Sequence, residues 1–162
     1  MEINYNIISL IDILGIVQGV FLGILLVIES KHIKPKLSLG LFIITFSLEL
    51  LNSILTDLNI LEQKPSLLFL PFNFYYLTIP LFYIYVKRIS NVSLTKRRIF
   101  FILLPGIIEF ILFSALFLLN VDTKLKIQNS DIYSTGLLLV MLFSFPYSLY
   151  YIILGIKFIN RQ

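Results

Sequence analysis

Long apolar runs separated by short charged segments make up most of this chain. Each run extends for about 20 residues, the length that an α-helix needs to cross roughly 30 Å of hydrocarbon. The runs are continuous, whereas the strands of a membrane barrel alternate between apolar and polar residues, so the pattern favours helices. It predicts five membrane-spanning helices, at about residues 7–28, 37–56, 67–86, 99–119 and 132–156.

The third run, LLFLPFNFYYLTIPLFYIYVKR, is rich in aromatic residues and ends at the basic pair Lys87 and Arg88. Such a pair after an apolar run is typical of a span that stops at the cytoplasmic face. Pro71 and Pro80 each lack a backbone donor, so we expect local bends in this helix. The rest of the bundle is expected to be organised around it.

Composition agrees with a lipid environment. The 162 residues are 58% hydrophobic, and the mean hydropathy is +0.94, which is more apolar surface than a soluble domain of this length can bury. No linker, composition shift or internal repeat divides the chain. The expected fold class is therefore all-α, a polytopic membrane helix bundle in which residues 1–162 form a single integral membrane domain.

The basic residues lie in short clusters between the apolar runs, where they act as topology signals. With the N-terminus outside, only Lys64, Lys124 and Lys126 of the 13 Lys and Arg residues lie in outer segments. This imbalance predicts the N-terminus out and the C-terminus in. The net charge of +4 is accounted for in the same way and gives no indication of DNA binding by this chain.

Three glycines, Gly15, Gly19 and Gly23, recur every four residues in the first span. They place side-chain-free positions on one helix face, which allows another helix to approach closely. We expect helix packing on this face. The packing could occur within the bundle or against a second copy in a homodimer.

Three acidic residues, Asp12, Glu49 and Glu109, lie within the predicted spans. Burying a charge at the bilayer centre costs at least about 2.5 kcal/mol, so each needs a proton, a hydrogen-bond donor or a water-filled cavity. A polar cavity that opens outward would explain all three. The cavity, a ligand pocket or a conformational switch, is predicted to be lined by Asp12, Gln18, Glu49, Asn52, Asn73, Tyr76 and Glu109. The alternative is that these groups form interhelical hydrogen bonds, worth about 0.6 kcal/mol each, that hold the bundle together.

The inventory of reactive side chains argues against an enzyme. Cysteine is absent and the only histidine, His32, lies in a lysine-rich loop. Metal centres and acyl-transfer sites draw on clustered ligands or on a nucleophile with a nearby base, and neither set is visible. We expect no catalytic residues, no metal site and no cofactor.

Three strings, GIVQGVFLGILL, LTIPLFYIYVKR and FFILLPGIIEFIL, resemble the N-terminal membrane region of membrane-anchored AraC-type transcriptional regulators of flavobacteria and their relatives. In that family several spans precede a cytoplasmic domain with two helix-turn-helix units that bind DNA. The resemblance implies a multi-pass sensor or signal-transducing domain in the bacterial inner (cytoplasmic) membrane. It would respond to an unknown small ligand and reach DNA only through a C-terminal domain that this chain lacks.

Three origins of such a chain stay open at this point: a fragment of a longer regulator, a gene interrupted after the fifth span, or a free-standing membrane protein with the sensor fold. Two other functions also stay open. One is a small transporter or transporter subunit that uses Glu49 and Glu109 as proton or cation sites. The other is the membrane sensor region of a histidine kinase.

Overall fold

The computed structural model describes residues 7–31, 34–92 and 94–160, and every regular element within these ranges is helical. The all-α fold class is thus confirmed. Side chains are described for residues 10–31, 35–92 and 94–160. The helices are α1 (Ile7–Glu29), α2 (Lys34–Asp57), α3 (Ile60–Gln63), α4 (Thr78–Ile89), α5 (Lys96–Phe117), α6 (Val121–Gln128) and α7 (Asp131–Ile159), with a short 3-10 turn at Pro65–Leu67.

Four helices of the described chain, α1, α2, α5 and α7, are long and apolar enough to cross a membrane. They correspond to the helices predicted at about 7–28, 37–56, 99–119 and 132–156. Many of their large apolar side chains are exposed; on α7, for example, Leu138, Phe143 and Phe145 point away from the protein. In water such a surface would be costly, whereas lipid solvates it without a penalty.

The third predicted helix, over 67–86, is wrong as one continuous element. Residues 68–77 are irregular, and α4 begins only at Thr78. Its 12 residues extend for about 18 Å, less than the roughly 30 Å of a bilayer core. Pro71 disfavours a helix across it, and Phe69 has a φ of 63°, which no helix accommodates. Pro80 lies in the first turn of α4, where no intrahelical donor is needed, so the bend expected there is not required.

Helices α1 and α2 pack along their length. A Cβ added at Gly23 would lie 2.9 Å from the carbonyl oxygen of Gly40, and one at Gly19 would collide with the hydroxyl of Ser47. These positions therefore set the close approach of the two helices. Gly15 has no atom within 4 Å of an added Cβ and takes no part in the contact.

Helix α4 is the most enclosed of the described elements, because it contacts α2, α5 and α7. Ile84, near its middle, is 1% exposed. At the basic end, Arg88 Nη1 donates a hydrogen bond to Ser38 Oγ of α2, with a distance of 3.1 Å. At the other end, α4 is preceded by residues 68–77, so this irregular stretch lies between the long helices.

The last three helices begin at side chains that cap them. Thr95, Asn120 and Ser130 accept hydrogen bonds from the backbone amides of Arg98, Thr123 and Tyr133, at 3.3, 3.0 and 3.3 Å. Each cap satisfies one of the amides that a first helical turn leaves without a partner. The caps fix where α5, α6 and α7 start and so keep their connections short.

Candidate functional site

Residues 68–77, called the 68–77 segment from here on, are held by two carboxyl groups from different helices. Glu49 Oε1, on α2, accepts a hydrogen bond from the amide of Phe74 at 3.2 Å. Glu109 Oε2, on α5, accepts one from the amide of Tyr76, also at 3.2 Å. Irregular backbone at membrane depth needs partners of this kind, because lipid offers none. Glu49 and Glu109 thus supply acceptors to a stretch that has left the helical hydrogen-bond pattern.

The position of Glu109 depends on a glycine one turn earlier in α5. A Cβ added at Gly106 would lie 3.0 Å from the amide nitrogen of Leu77 and 3.0 Å from the carbonyl carbon of Tyr76. Only a residue without a side chain leaves room for the backbone of the segment at this distance. Gly106 therefore lets the 68–77 segment come close enough for Glu109 to accept its hydrogen bond.

Further hydrogen bonds tie the same segment to α2 and α7. Asn52 Nδ2 donates to Asn73 Oδ1 at 2.7 Å, and the hydroxyl of Tyr76 donates to the carbonyl oxygen of Val140 at 2.9 Å. The ring of Phe69 packs edge-on against Tyr133 with centroids 5.1 Å apart. A bulky residue with positive φ costs of order 1–3 kcal/mol, so these surrounding contacts are what keep Phe69 in its conformation.

A cavity of about 650 Å³ opens between α2, the 68–77 segment and α7. Its polar lining includes Glu49, Asn52, Asn73 and Tyr75. A second cavity of about 440 Å³ continues along α2 and α7. The two share the side chains of Phe46, Glu49, Tyr75 and Met141. Both volumes lie in the range of about 300–1,000 Å³ that is usual for small-molecule sites.

The ionisable acid and base side chains that line the two cavities are all acidic among the described residues. Glu49 and Asp57 are the acidic residues among the described side chains that line them, and no lysine, arginine or histidine occurs in that lining. Glu49 lies at the junction of the two cavities, whereas Asp57 is exposed at the end of α2. The described lining thus offers carboxyl groups and no basic side chain to a bound molecule.

The structure brings together five of the seven residues predicted to line a cavity. Glu49, Asn52 and Asn73 line it, and Tyr76 and Glu109 belong to the hydrogen-bond network immediately beside it.

Asp12 and Gln18 lie outside this site. They are exposed on α1 and line neither cavity. The reason is the packing order: α1 contacts α2 through Gly19 and Gly23, on a face of α2 that differs from the face carrying Glu49. The three predicted acids thus do not share one site: Glu49 and Glu109 hold the 68–77 segment, whereas Asp12 is exposed on α1, so one cavity does not explain all of them.

A series of tyrosine rings was missed by sequence reasoning. Tyr76 packs against Tyr147 with centroids 5.3 Å apart, Tyr147 against Tyr151 at 5.0 Å, and Tyr151 against Tyr83 at 5.3 Å. The hydroxyl of Tyr147 also donates to the carbonyl oxygen of Ile102 at 2.6 Å. The series connects the 68–77 segment with the basic half of α4. Aromatic residues near a span end ordinarily indicate interfacial anchoring, so nothing in the sequence pointed to buried ring contacts.

Lys124 on α6 was also unexpected, because a lysine in a short outer loop is ordinarily solvated. It is 2% exposed. Its Nζ donates to the carbonyl oxygen of Ser66 at 2.7 Å and lies 4.4 Å from the ring centroid of Phe117. Burial lowers the pKa of this ammonium group from its ordinary value of 10.5. The lysine satisfies a carbonyl of the 3-10 turn that leads into the 68–77 segment.

Among the described residues, no group of three or more His, Asp or Glu side chains could hold a metal ion. The cavity therefore has to be interpreted from its carboxyl, amide and aromatic groups. Comparisons with protein-family models, with curated proteins and with solved structures found no match to this chain.

Proposed function

We propose that this chain is a sensor or signal-transducing domain that binds a small ligand in the cavity beside the 68–77 segment. The proposal rests on the two roles of the Glu49 side chain. It lines both cavities and also accepts the hydrogen bond from the amide of Phe74. A ligand that engages this carboxyl group competes with the segment for it. Ligand binding is thereby coupled to the start of α4.

The proposed arrangement in the membrane has five crossings. The third consists of the 68–77 segment followed by α4, and the other four are α1, α2, α5 and α7. The N-terminus lies outside and the C-terminus inside, which gathers Lys87 and Arg88 at the end of α4 with Lys96 at the start of α5 on the cytoplasmic side. The membrane is the bacterial inner membrane, and the cavity near the Asp57 end of α2 then opens outward.

The route of the signal in this proposal follows α4. Its beginning is held by the hydrogen bonds of Glu49 and Glu109 to the segment, and its side reaches the tyrosine series through Tyr83. Near its basic end the ammonium group of Lys87 lies 3.4 Å from the ring centroid of Phe158 on α7. A shift of α4 would change these contacts at the cytoplasmic face. The resemblance to membrane-anchored AraC-type regulators suggests that a DNA-binding domain reads such a change.

A small transporter is the second candidate, and one feature favours it. A crossing that is broken at mid-depth, with carboxyl groups beside the start of its helical half, is a usual way to build an ion or substrate site in transporters. In that case Glu49 and Glu109 would carry protons or cations, and the chain would mediate flux.

The absence of cysteine from the sequence allows a direct test. A single cysteine at Ile89, an exposed position at the end of α4, is labelled with an environment-sensitive fluorophore in the protein reconstituted in liposomes. Small amines, carboxylates and alcohols are then added in turn. A sensor gives a saturable change in fluorescence for at least one compound, and Glu49→Gln weakens it.

The matched control is Glu62→Gln, an exposed glutamate on α3 outside both cavities. It is expected to leave the fluorescence response intact. A pH-sensitive dye inside the same liposomes measures flux: uptake of protons driven by the compound would favour the transporter. A label that responds to no compound would contradict the sensor proposal.

A further inference from the structure

The junction of the two cavities combines one carboxyl group with soft and aromatic side chains. Phe46, Glu49, Tyr75 and Met141 all line both cavities, so a molecule that extends from one into the other passes between them. Aromatic faces attract cations, and the thioether of methionine adapts its shape to apolar groups. The same four groups would hold an ammonium centre against the carboxylate and an apolar body against the rings.

The rest of the lining also favours a positively charged ligand. Asp57 adds a second carboxyl group at the end of α2, and no basic side chain of the described residues lines either cavity. The nearby Lys124 is turned to the carbonyl oxygen of Ser66 and belongs to neither lining. An anionic ligand would therefore meet carboxyl groups with no basic side chain in the lining to balance its charge, which disfavours its binding.

A bare metal ion fits the junction poorly. Calcium takes six to eight oxygen ligands, and magnesium keeps near-ideal octahedral geometry with several waters. The described residues contain no cluster of acids that could hold such an ion. The aromatic rings around Glu49 would instead cover an organic cation, whose charge is spread over a larger and less strongly hydrated group.

We propose that the cavity binds a small organic ammonium compound with an aromatic or branched apolar body, its ammonium group at Glu49 between Phe46 and Tyr75. This inference rests on the proposed function, since it names the ligand class of the same site. The volumes of about 650 and 440 Å³ leave room for a body of one ring or a short chain on either side of the junction. Binding would place a donor on the Glu49 carboxyl group that already accepts from Phe74.

The test uses three probes with the same body and different charge: 2-phenylethylamine, 2-phenylethanol and 3-phenylpropionate. Their binding to the full chain in detergent is measured by isothermal titration calorimetry, with empty micelles as the blank for partitioning. The amine is expected to bind at least about tenfold more tightly than the alcohol, and the carboxylate more weakly than either.

Two variants test which side chains give the preference for the amine. Glu49→Gln keeps an oxygen that can accept from Phe74, so the fold is retained, and it is expected to abolish the tenfold preference for the amine. Tyr75→Leu leaves the charge unchanged and is expected to weaken the amine more than the alcohol. Glu62→Gln, outside both cavities, serves as the control and is expected to keep the wild-type preference.

The outcomes separate this inference from the sensor proposal. If the alcohol or the carboxylate binds as tightly as the amine, or if no probe binds, the inference is overturned, whereas the sensor proposal is still decided by the label on α4. If the amine binds selectively through Glu49 but the label on α4 does not respond, the inferred ligand class is supported and the sensor proposal is contradicted.

Discussion

The contact between α1 and α2 and the contact between α5 and the 68–77 segment both bring backbones close together at a glycine, but they solve different problems. At Gly23 and Gly40 two regular helices meet, and each already satisfies its own backbone hydrogen bonds. At Gly106 a helix meets irregular backbone, and Glu109, one turn away, has to supply an acceptor. Close packing is sufficient in the first region, whereas the second also needs a polar partner.

This difference explains why acidic residues occur in spans that are otherwise apolar. Lipid provides no hydrogen bonds, so an irregular stretch can persist at membrane depth only if the protein provides them. Glu49 accepts from the amide of Phe74, and Glu109 accepts from the amide of Tyr76, two residues further along the segment. A ligand bound at Glu49 would therefore act on the same carboxyl group that accepts the hydrogen bond from the amide of Phe74, which links the proposed binding role to the structural one.

The largest effect is expected from removing an acceptor in the second region. Glu109→Leu replaces the carboxyl group with an apolar side chain of similar size and leaves the amide of Tyr76 unpaired, and we expect it to lower the free energy of unfolding by about 3 kcal/mol. Glu109→Gln retains an acceptor oxygen and should cost much less. Chemical unfolding in mixed micelles, followed by circular dichroism, measures both variants.

The contrast between the two regions would be contradicted if Glu109→Leu were no less stable to unfolding than Glu109→Gln. Glu109 Oε1 has no hydrogen-bond partner among the described residues, although Glu109 is only 6% exposed. If Glu109→Leu were as stable as the wild type, relief of this unpaired oxygen would outweigh the lost bond to Tyr76. The carboxyl group would then be a burden on the fold and would not hold the 68–77 segment.

Alanine substitutions at the glycines are expected to change the free energy of unfolding by an intermediate amount, and they test the two regions separately. Gly106→Ala and Gly23→Ala place a Cβ about 3 Å from backbone atoms, and overpacking of this kind is expected to cost about 1–2 kcal/mol. Gly15→Ala is the control: it meets no atom within 4 Å, and alanine favours a helix by up to about 1 kcal/mol over glycine. Thermal unfolding in detergent ranks the three variants.

A second measurement on these variants distinguishes the regions. Gly106→Ala should also disturb the cavity, because it displaces Tyr76 and Leu77, whereas Gly23→Ala should leave amine binding unchanged. Equal losses of binding in both variants would contradict the assignment of the cavity to the region around α4.

Local pattern was sufficient to predict the four long helices, because the length and hydropathy of each apolar run can be read from that run alone. It failed for the helix over 67–86. Pro71 is a local signal against a helix, but the acceptors that hold the irregular backbone lie 25 and 33 residues away along the chain, in the hydrogen bonds of Glu49 to Phe74 and of Glu109 to Tyr76. For Asp12 and Gln18, the local pattern gave the helix on which they lie but could not show which of its faces contacts α2.

The smallest effect concerns a third side chain that serves irregular backbone, Lys124, whose ammonium group donates to the carbonyl oxygen of Ser66. Burial lowers its pKa from 10.5, so between the lowered value and 10.5 the unfolded chain binds more protons than the folded protein. The free energy of unfolding should therefore rise with pH in this window. Lys124→Met removes the group and should flatten the rise, as measured by thermal unfolding at increasing pH. An unchanged pH dependence in Lys124→Met would mean that the ammonium group is as well solvated in the folded protein as in the unfolded chain.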